Sequence, residues 1–158
     1  EFACDNVYRW WMQFGRWWYF GAKSLLLLCD SGGSNDVRHY LFKQELQRLA
    51  NRMGITVRVA HYPPYTSKYN PIEHRLFPHV TRACAGASFL DLPMALQLLR
   101  KTRTQTGLRV TVQVVKQYYA SGRTYASEFR TATPIRFDED LSDWNYEAVP
   151  GADAHLWN

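Results

Sequence analysis

Two carboxylates stand where this chain could use them for chemistry. Asp30 closes the apolar run "SLLLLCD" at 24–30, and Glu73 ends the stiff stretch "HYPPYTSKYNPIE" that begins at His61. An aspartate at the carboxyl end of a buried strand lies where open parallel sheets gather ligand-binding groups. Taken alone, Asp30 reads more simply as a cap for the Ser31-Gly32-Gly33 turn. Glu73 also has a structural reading, since in "NPIE" it follows the Asn70 cap by three positions, close to a capping box. Against that, Phe77, Val80 and Cys84 follow it at i+4, i+7 and i+11, which puts it on or beside the inward stripe of a helix. A carboxylate facing inward needs a partner. Mg2+ or Mn2+ would serve, because hard cations are held by one or two carboxylates together with water and substrate phosphate. A pair of such ions can act on both the attacking and the leaving oxygen in phosphoryl transfer.

Positioning falls to the elements around them. Residues 24–30 read as a strand covered on both faces, bounded by Gly21 and Gly32-Gly33. Asn35 can cap a helix running to Met53, with Phe42, Leu46, Leu49 and Met53 inward and Gly54 at its end. "ITVRVAHY" at 55–62 alternates as a second strand, and strand, helix and strand make a right-handed parallel unit. Pro63, Pro64 and Pro71 restrict the segment that delivers Glu73 from the second strand toward the end of the first. Asn70 and Pro71 open a helix from 71 to about 84, bent at Pro78. Asp91 caps another, with Leu92, Ala95, Leu96 and Leu99 inward, and "LRVTVQVV" at 108–115 reads as a late strand or hairpin arm. Near the start, Val7, Trp10, Trp11, Phe14, Trp17 and Trp18 mark one face of a helix from about residue 3 to 20. Core packing explains that stripe better than a platform for stacking bases.

Composition bounds the function. A chain of 158 residues, 46% hydrophobic and 15% aromatic, can build one globular core. No segment approaches the roughly eighteen consecutive apolar residues of a membrane span, and no signal-peptide pattern opens the chain, so a soluble cytoplasmic protein is expected. Cys4, Cys29 and Cys84 are too far apart for a zinc knuckle and read as buried thiols. All 19 Lys and Arg lie in residues 1–136 with 8 of the acids, while 137–158 hold the other 6 acids. A basic body suits a polyanion such as nucleic acid. Lys68, Arg75 and Arg82 are candidate phosphate contacts, and His74, beside Glu73, could touch substrate. Arg100, Lys101 and Arg103 are candidates too, though they equally suit a helix C-terminus.

"HYPPYTSKYNPIEH" resembles the Pro-Pro-Tyr-x-x-x-x-Asn-x-Ile-Glu signature before the third carboxylate of DDE transposases from bacterial insertion sequences and the mariner group. With "CDSGGSN", "ELQRLANRMGITVRVAHYPP", "IEHRLF", "TRTQTGLRV" and "WNY" at 144–146, the chain most resembles the Rhodopirellula transposase DDE domain family over residues 1–147, with 148–158 as a tail. The 42 residues between Asp30 and Glu73 exceed the mariner spacing and favour this separate family. The resemblance implies an α/β, ribonuclease H-like (integrase-like) fold in which three carboxylates hold two Mg2+ or Mn2+ ions. It implies nicking and joining of double-stranded DNA, transposon ends and target alike, during transposition and recombination in the bacterial nucleoid. Asp30 would be the second carboxylate and Glu73 the third. The first would end an upstream strand. Asp5 does not fit that role, because it lies in the Trp-rich helix. The chain is therefore expected to be the C-terminal portion of the catalytic domain, lacking its first three strands and inactive alone. A sheet edge exposed in this way leaves room for a homo-oligomer.

Two other functions fit less of the sequence. "DSGGSN" could cradle a phosphate beside an aspartate nucleophile, as in a phosphohydrolase, but this leaves the Glu73 loop unexplained. A transposase-derived DNA-binding or assembly module, retired from catalysis, is the nonenzymatic alternative.

Overall fold

The apolar run, the amphipathic segment and the alternating segment fold as two parallel strands joined by a helix. β1 (Ser24–Cys29) pairs with β2 (Thr56–His61) in parallel, from Ser24 opposite Thr56 to Cys29 opposite His61. The computed structural model describes residues 1–30, 39–63, 65–88, 91–125, 127, 129 and 134–151. It divides into two units, Glu1–Pro64 with Tyr119–Asn158, and Tyr65–Tyr118.

In the first unit the chain opens with α1 (Phe2–Trp10), passes through a π-helical turn (Trp11–Gly15) and ends the helix with α2 (Arg16–Trp18). A π turn holds more residues than an α turn, so it rotates the phase of the stripe that follows. Cys4 and Trp11 are buried, but Trp17 and Trp18, expected on the inward face, are 66% and 69% exposed. α3 (Tyr40–Met53) follows β1, and Gly54 ends it in the left-handed conformation at φ 68°. Asn35 and the rest of "SGGSN" lie outside the described residues.

α3 packs against α1, β2 and the later strand Asn145–Ala148, so it is covered on more than its apolar stripe. Phe42, Leu46, Leu49 and Ala50 join Val57, Val59, Phe129, Ile135, Tyr146 and Ala148 in the core. Lys43, Gln44, Glu45 and Gln47 are buried too. The carboxylate of Glu45 accepts from Arg48 at 2.8 Å and Arg123 at 3.1 Å. The Lys43 ammonium lies 5.0 Å from the Tyr146 ring centre, 5.2 Å from Tyr40 and 5.4 Å from Phe137, a favourable place for a cation.

The acidic stretch after residue 136 contributes two strands. β3 (Arg136–Phe137) and β4 (Asn145–Ala148) extend the sheet in the order β1-β2-β4-β3, with β4 antiparallel to both neighbours. Asp138 pairs with Arg58 at 3.1 Å. Gln47 donates to the Val149 carbonyl at 2.8 Å, which ties the chain after β4 to α3.

The expectation that β1 is covered on both faces does not hold among the described residues. Leu27 and Cys29 pack toward the core, whereas Leu26 and Leu28 are 54% and 44% exposed. β1 stands at the end of the strand order with β2 as its neighbour. A cleft of about 780 Å3 borders it, lined in part by Leu26–Cys29, Phe2, Val7, Phe42 and Tyr119.

The second unit holds a 3-10 turn (Ser67–Tyr69), α4 (Ile72–Arg75), α5 (Phe77–Cys84) and α6 (Leu92–Arg100). Asp91 caps α6 by accepting from the Met94 N–H at 2.8 Å. Ala95, Leu96 and Leu99 are half-buried, while Leu92, in the first turn, is 57% exposed. The expected strand at 108–115 does not form. One antiparallel bridge joins Arg103 to Arg109 around the Thr104–Leu108 turn, and 110–120 adopt neither helix nor strand. Alternation alone makes no strand, because a ladder also needs a neighbour to bond.

Candidate functional site

Asp30 follows the last residue of β1. The Tyr62 N–H donates to the Cys29 carbonyl at 2.7 Å, so the parallel pairing holds up to the residue before Asp30. Asp30 itself is exposed at the carboxyl end of the strand. Its carbonyl oxygen lies 3.3 Å from Nδ1 of His61, whose Nε2 lies 2.9 Å from the Tyr146 hydroxyl. Sequence reasoning missed both residues as parts of the site. The signal was available: β2 buries Val57, Val59 and His61 at every second position, and an imidazole on an inward register needs polar partners.

The stretch leading to Glu73 is stiff for more reasons than its prolines. Tyr65 adopts φ 65°, a left-handed turn that costs a residue with a Cβ about 1–2 kcal/mol. After the 3-10 turn, Asn70 Oδ1 accepts from the Ile72 N–H at 3.3 Å, and the Glu73 N–H donates to the Asn70 carbonyl at 3.0 Å. The ring of His74 reaches back to the Lys68 carbonyl at 2.5 Å. Asn70 thus bonds the first turn through its side chain, but Pro71, and not Asn70 as expected, holds the cap position of the helix, and His74 closes the loop on itself.

Glu73 is exposed, contrary to the inward position its spacing suggested. The helix breaks at Leu76, where φ is −122°, just before Phe77 and Pro78. Phe77, Val80 and Cys84 therefore belong to a different helix, and the phase that linked Glu73 to them is lost. The need for a buried partner falls with it. Asp30 lies in the first unit and Glu73 in the second.

The seven candidate nucleic-acid contacts all fall in the second unit. Lys68, His74, Arg75, Arg82, Arg100, Lys101 and Arg103 are exposed, and among the described residues none of them forms an ion pair. Lys68 stacks its ammonium 5.2 Å from the Tyr69 ring centre. Residues 65–118 carry eight Lys and Arg against two acids, so they hold a net +6 of a chain total of +5. The first unit holds the remaining −1, so the contrast between units is smaller than that between the basic body at +11 and the acidic tail at −6. In the first unit four of the nine described Lys and Arg form ion pairs: Arg48 and Arg123 with Glu45, Arg52 with Asp5, and Arg58 with Asp138. Asp5 takes that ion pair at 2.8 Å and a hydrogen bond from Tyr119 at 3.2 Å, a structural role within α1.

Among the described residues no three His, Cys, Asp or Glu side chains come together as a metal cluster. Burial pushes the Cys4 thiol up to about 12, which keeps it protonated, and Cys29 and Cys84 are half-buried rather than enclosed. No helix among the described residues is long and apolar enough to cross a membrane.

Neither a curated protein nor a solved structure matches the chain. A family model does, over nearly all of it: the Rhodopirellula transposase DDE domain, at residues 1–150. That span takes in the parallel strand pair, the Asp30 strand end, the clamped Glu73 loop and the basic second unit, and the chain belongs to the Rhodopirellula transposase DDE domain family.

Proposed function

We propose that this chain is part of the catalytic domain of an insertion-sequence transposase, and that Asp30 and Glu73 are two of three carboxylates that hold divalent metal for DNA cleavage and strand transfer. The observation that carries this reading is the place of Asp30 at the carboxyl end of a parallel strand, in a chain that belongs to a transposase DDE family. Open α/β sheets bind ligands at that end. On this reading the sheet is the later part of a ribonuclease H-like fold. The remaining carboxylate comes from a strand that would lie beside the exposed edge of β1.

The donors fit Mg2+ or Mn2+. Both are exposed carboxylates, the hard oxygen ligands these ions take, and the loop that carries Glu73 is tied internally by the Asn70 and His74 bonds. When bound, two such ions activate the attacking oxygen and stabilise the leaving one. The protein's own part is to hold the carboxylates and the DNA. Lys68, Arg75, Arg82, Arg100, Lys101 and Arg103 supply phosphate contacts, which fix the position of a duplex without reading its sequence.

Calorimetric titration of this chain with Mn2+ tests the ligand assignment. Weak binding is expected, abolished by Asp30→Asn, with no DNA nicking. Tight two-site binding accompanied by nuclease activity would contradict the need for a third carboxylate.

A further inference from the structure

We propose that His61 and Tyr146 form a positioning pair that fixes the peptide of Asp30, and with it the direction in which the Asp30 carboxylate meets a metal ion. The proposal rests on the reading of Asp30 as a ligand given above. His61 is 6% exposed and sits on the inward register of β2 after Val57 and Val59. Both of its ring nitrogens face polar atoms, the Asp30 carbonyl at 3.3 Å and the Tyr146 hydroxyl at 2.9 Å. A carbonyl oxygen can only accept, so Nδ1 carries the hydrogen in this contact. The neutral ring then leaves Nε2 as an acceptor, which the Tyr146 hydroxyl fills as donor. The opposite tautomer would point a lone pair at the Asp30 oxygen.

Tyr146 is well placed to select the tautomer because it is itself held. It is 1% exposed, stands opposite Val59 in the β2–β4 pairing, packs its ring 6.0 Å from Phe137 and lies under the Lys43 ammonium. The backbone adds to this, since the His61 N–H donates to the Trp144 carbonyl at 2.8 Å. The bond from Tyr62 to Cys29 closes the parallel ladder one residue before Asp30. The His61 ring carries the anchoring one residue further, to the peptide whose side chain would bind metal. It also gives roles to the His61 and "WNY" parts of the sequence pattern, which the carboxylates alone leave unused.

Nuclear magnetic resonance on this chain tests the pair with and without metal. The ring 15N shifts of His61 should report the Nδ1–H tautomer, and Tyr146→Phe should turn it into a mixture. His61→Phe keeps the ring size but removes both bonds. It should move the Asp30 carbonyl 13C shift and weaken Mn2+ binding at Asp30 by about fivefold, the worth of one neutral hydrogen bond. His61→Asn, whose side-chain amide can occupy the place of Nδ1, should restore both readouts, which a general packing role for the histidine would not allow. An Nε2–H tautomer in the parent chain, or an Asp30 carbonyl shift unmoved by His61→Phe, would overturn the pair. If the Phe variant fails to fold, the parent tautomer and its response to Tyr146→Phe decide the matter. A parent chain whose Asp30 resonances stay sharp in Mn2+ overturns the ligand reading instead, and the metal-free carbonyl shift keeps that failure separate from the anchoring.

Discussion

Replacing Arg100, Lys101 and Arg103 together with alanine should flatten the salt dependence of DNA binding by a calculable amount. Six of the candidate contacts are Lys or Arg, all exposed on the second unit and without an ion pair among the described residues. Each phosphate neutralised on B-DNA contributes about −0.9 to the slope of log affinity against log salt, so six give about −5. Between about 50 and 200 mM salt, affinity should then fall by roughly three orders of magnitude. The triple variant keeps three contacts, with a slope of about −2.7 and a loss of roughly fortyfold over the same range. Fluorescence anisotropy with a short labelled duplex reads both slopes. If these residues serve instead to complement the C-terminus of α6, the variant loses up to about 1 kcal/mol of stability and keeps the parental slope. That result, or an affinity indifferent to salt, would refute the assignment.

Gly15→Ala should destabilise the chain by about 1–3 kcal/mol in urea denaturation, although alanine is the better helix former. A Cβ there would stand 2.6 Å from Cε3 of Trp11 and 2.8 Å from Cζ3 of Trp10, and a stabilised variant would show that the π turn does not depend on that close approach. Cys4 should resist thiol reagents at about pH 8 while Cys29 and Cys84 react, because burial raises the Cys4 pKa from 9.0 to about 12. Between those values the unfolded chain loses the thiol proton and the native chain keeps it, so the stability due to Cys4 is full below pH 9.0 and lost as pH rises through about 12. A Cys4→Ala chain should show a shallower alkaline decline in its urea midpoint than the parent, and an equal decline would contradict the burial of the thiol.

The strand-helix-strand core was legible because period and punctuation agreed there. β1 formed as a strand, though covered on one face only among the described residues, and the stripe of α3 with its Gly54 stop and the alternation of β2 took the expected form. Capping chemistry was readable at Asp91, which accepts from the Met94 N–H, whereas Pro71 holds the cap position expected of Asn70, whose side chain bonds the Ile72 N–H from one residue further out. What depends on context was not legible. "RVTVQVV" alternates like a strand but finds no ladder, whereas β4 is only four residues long and earns its place next to β2 through tertiary packing. Helical phase misled twice, at the π turn that turns Trp17 and Trp18 outward and at the Leu76 break that separates Glu73 from Phe77. The candidate residues were visible as isolated carboxylates and cations. The bonds from His61 to Asp30 and Tyr146 were not, because they join positions far apart in the chain.

Strand transfer by the complete transposase reading frame carrying Glu73→Gln is the most direct test of the central claim. The substitution keeps size and helix propensity and removes the charge a divalent ion requires. If Glu73 holds metal, folding should change by no more than about 1 kcal/mol and DNA binding should persist, while strand transfer falls by orders of magnitude. A Glu73→Gln transposase that folds normally and still joins strands at the parental rate would show that the clamped loop serves something other than a metal site.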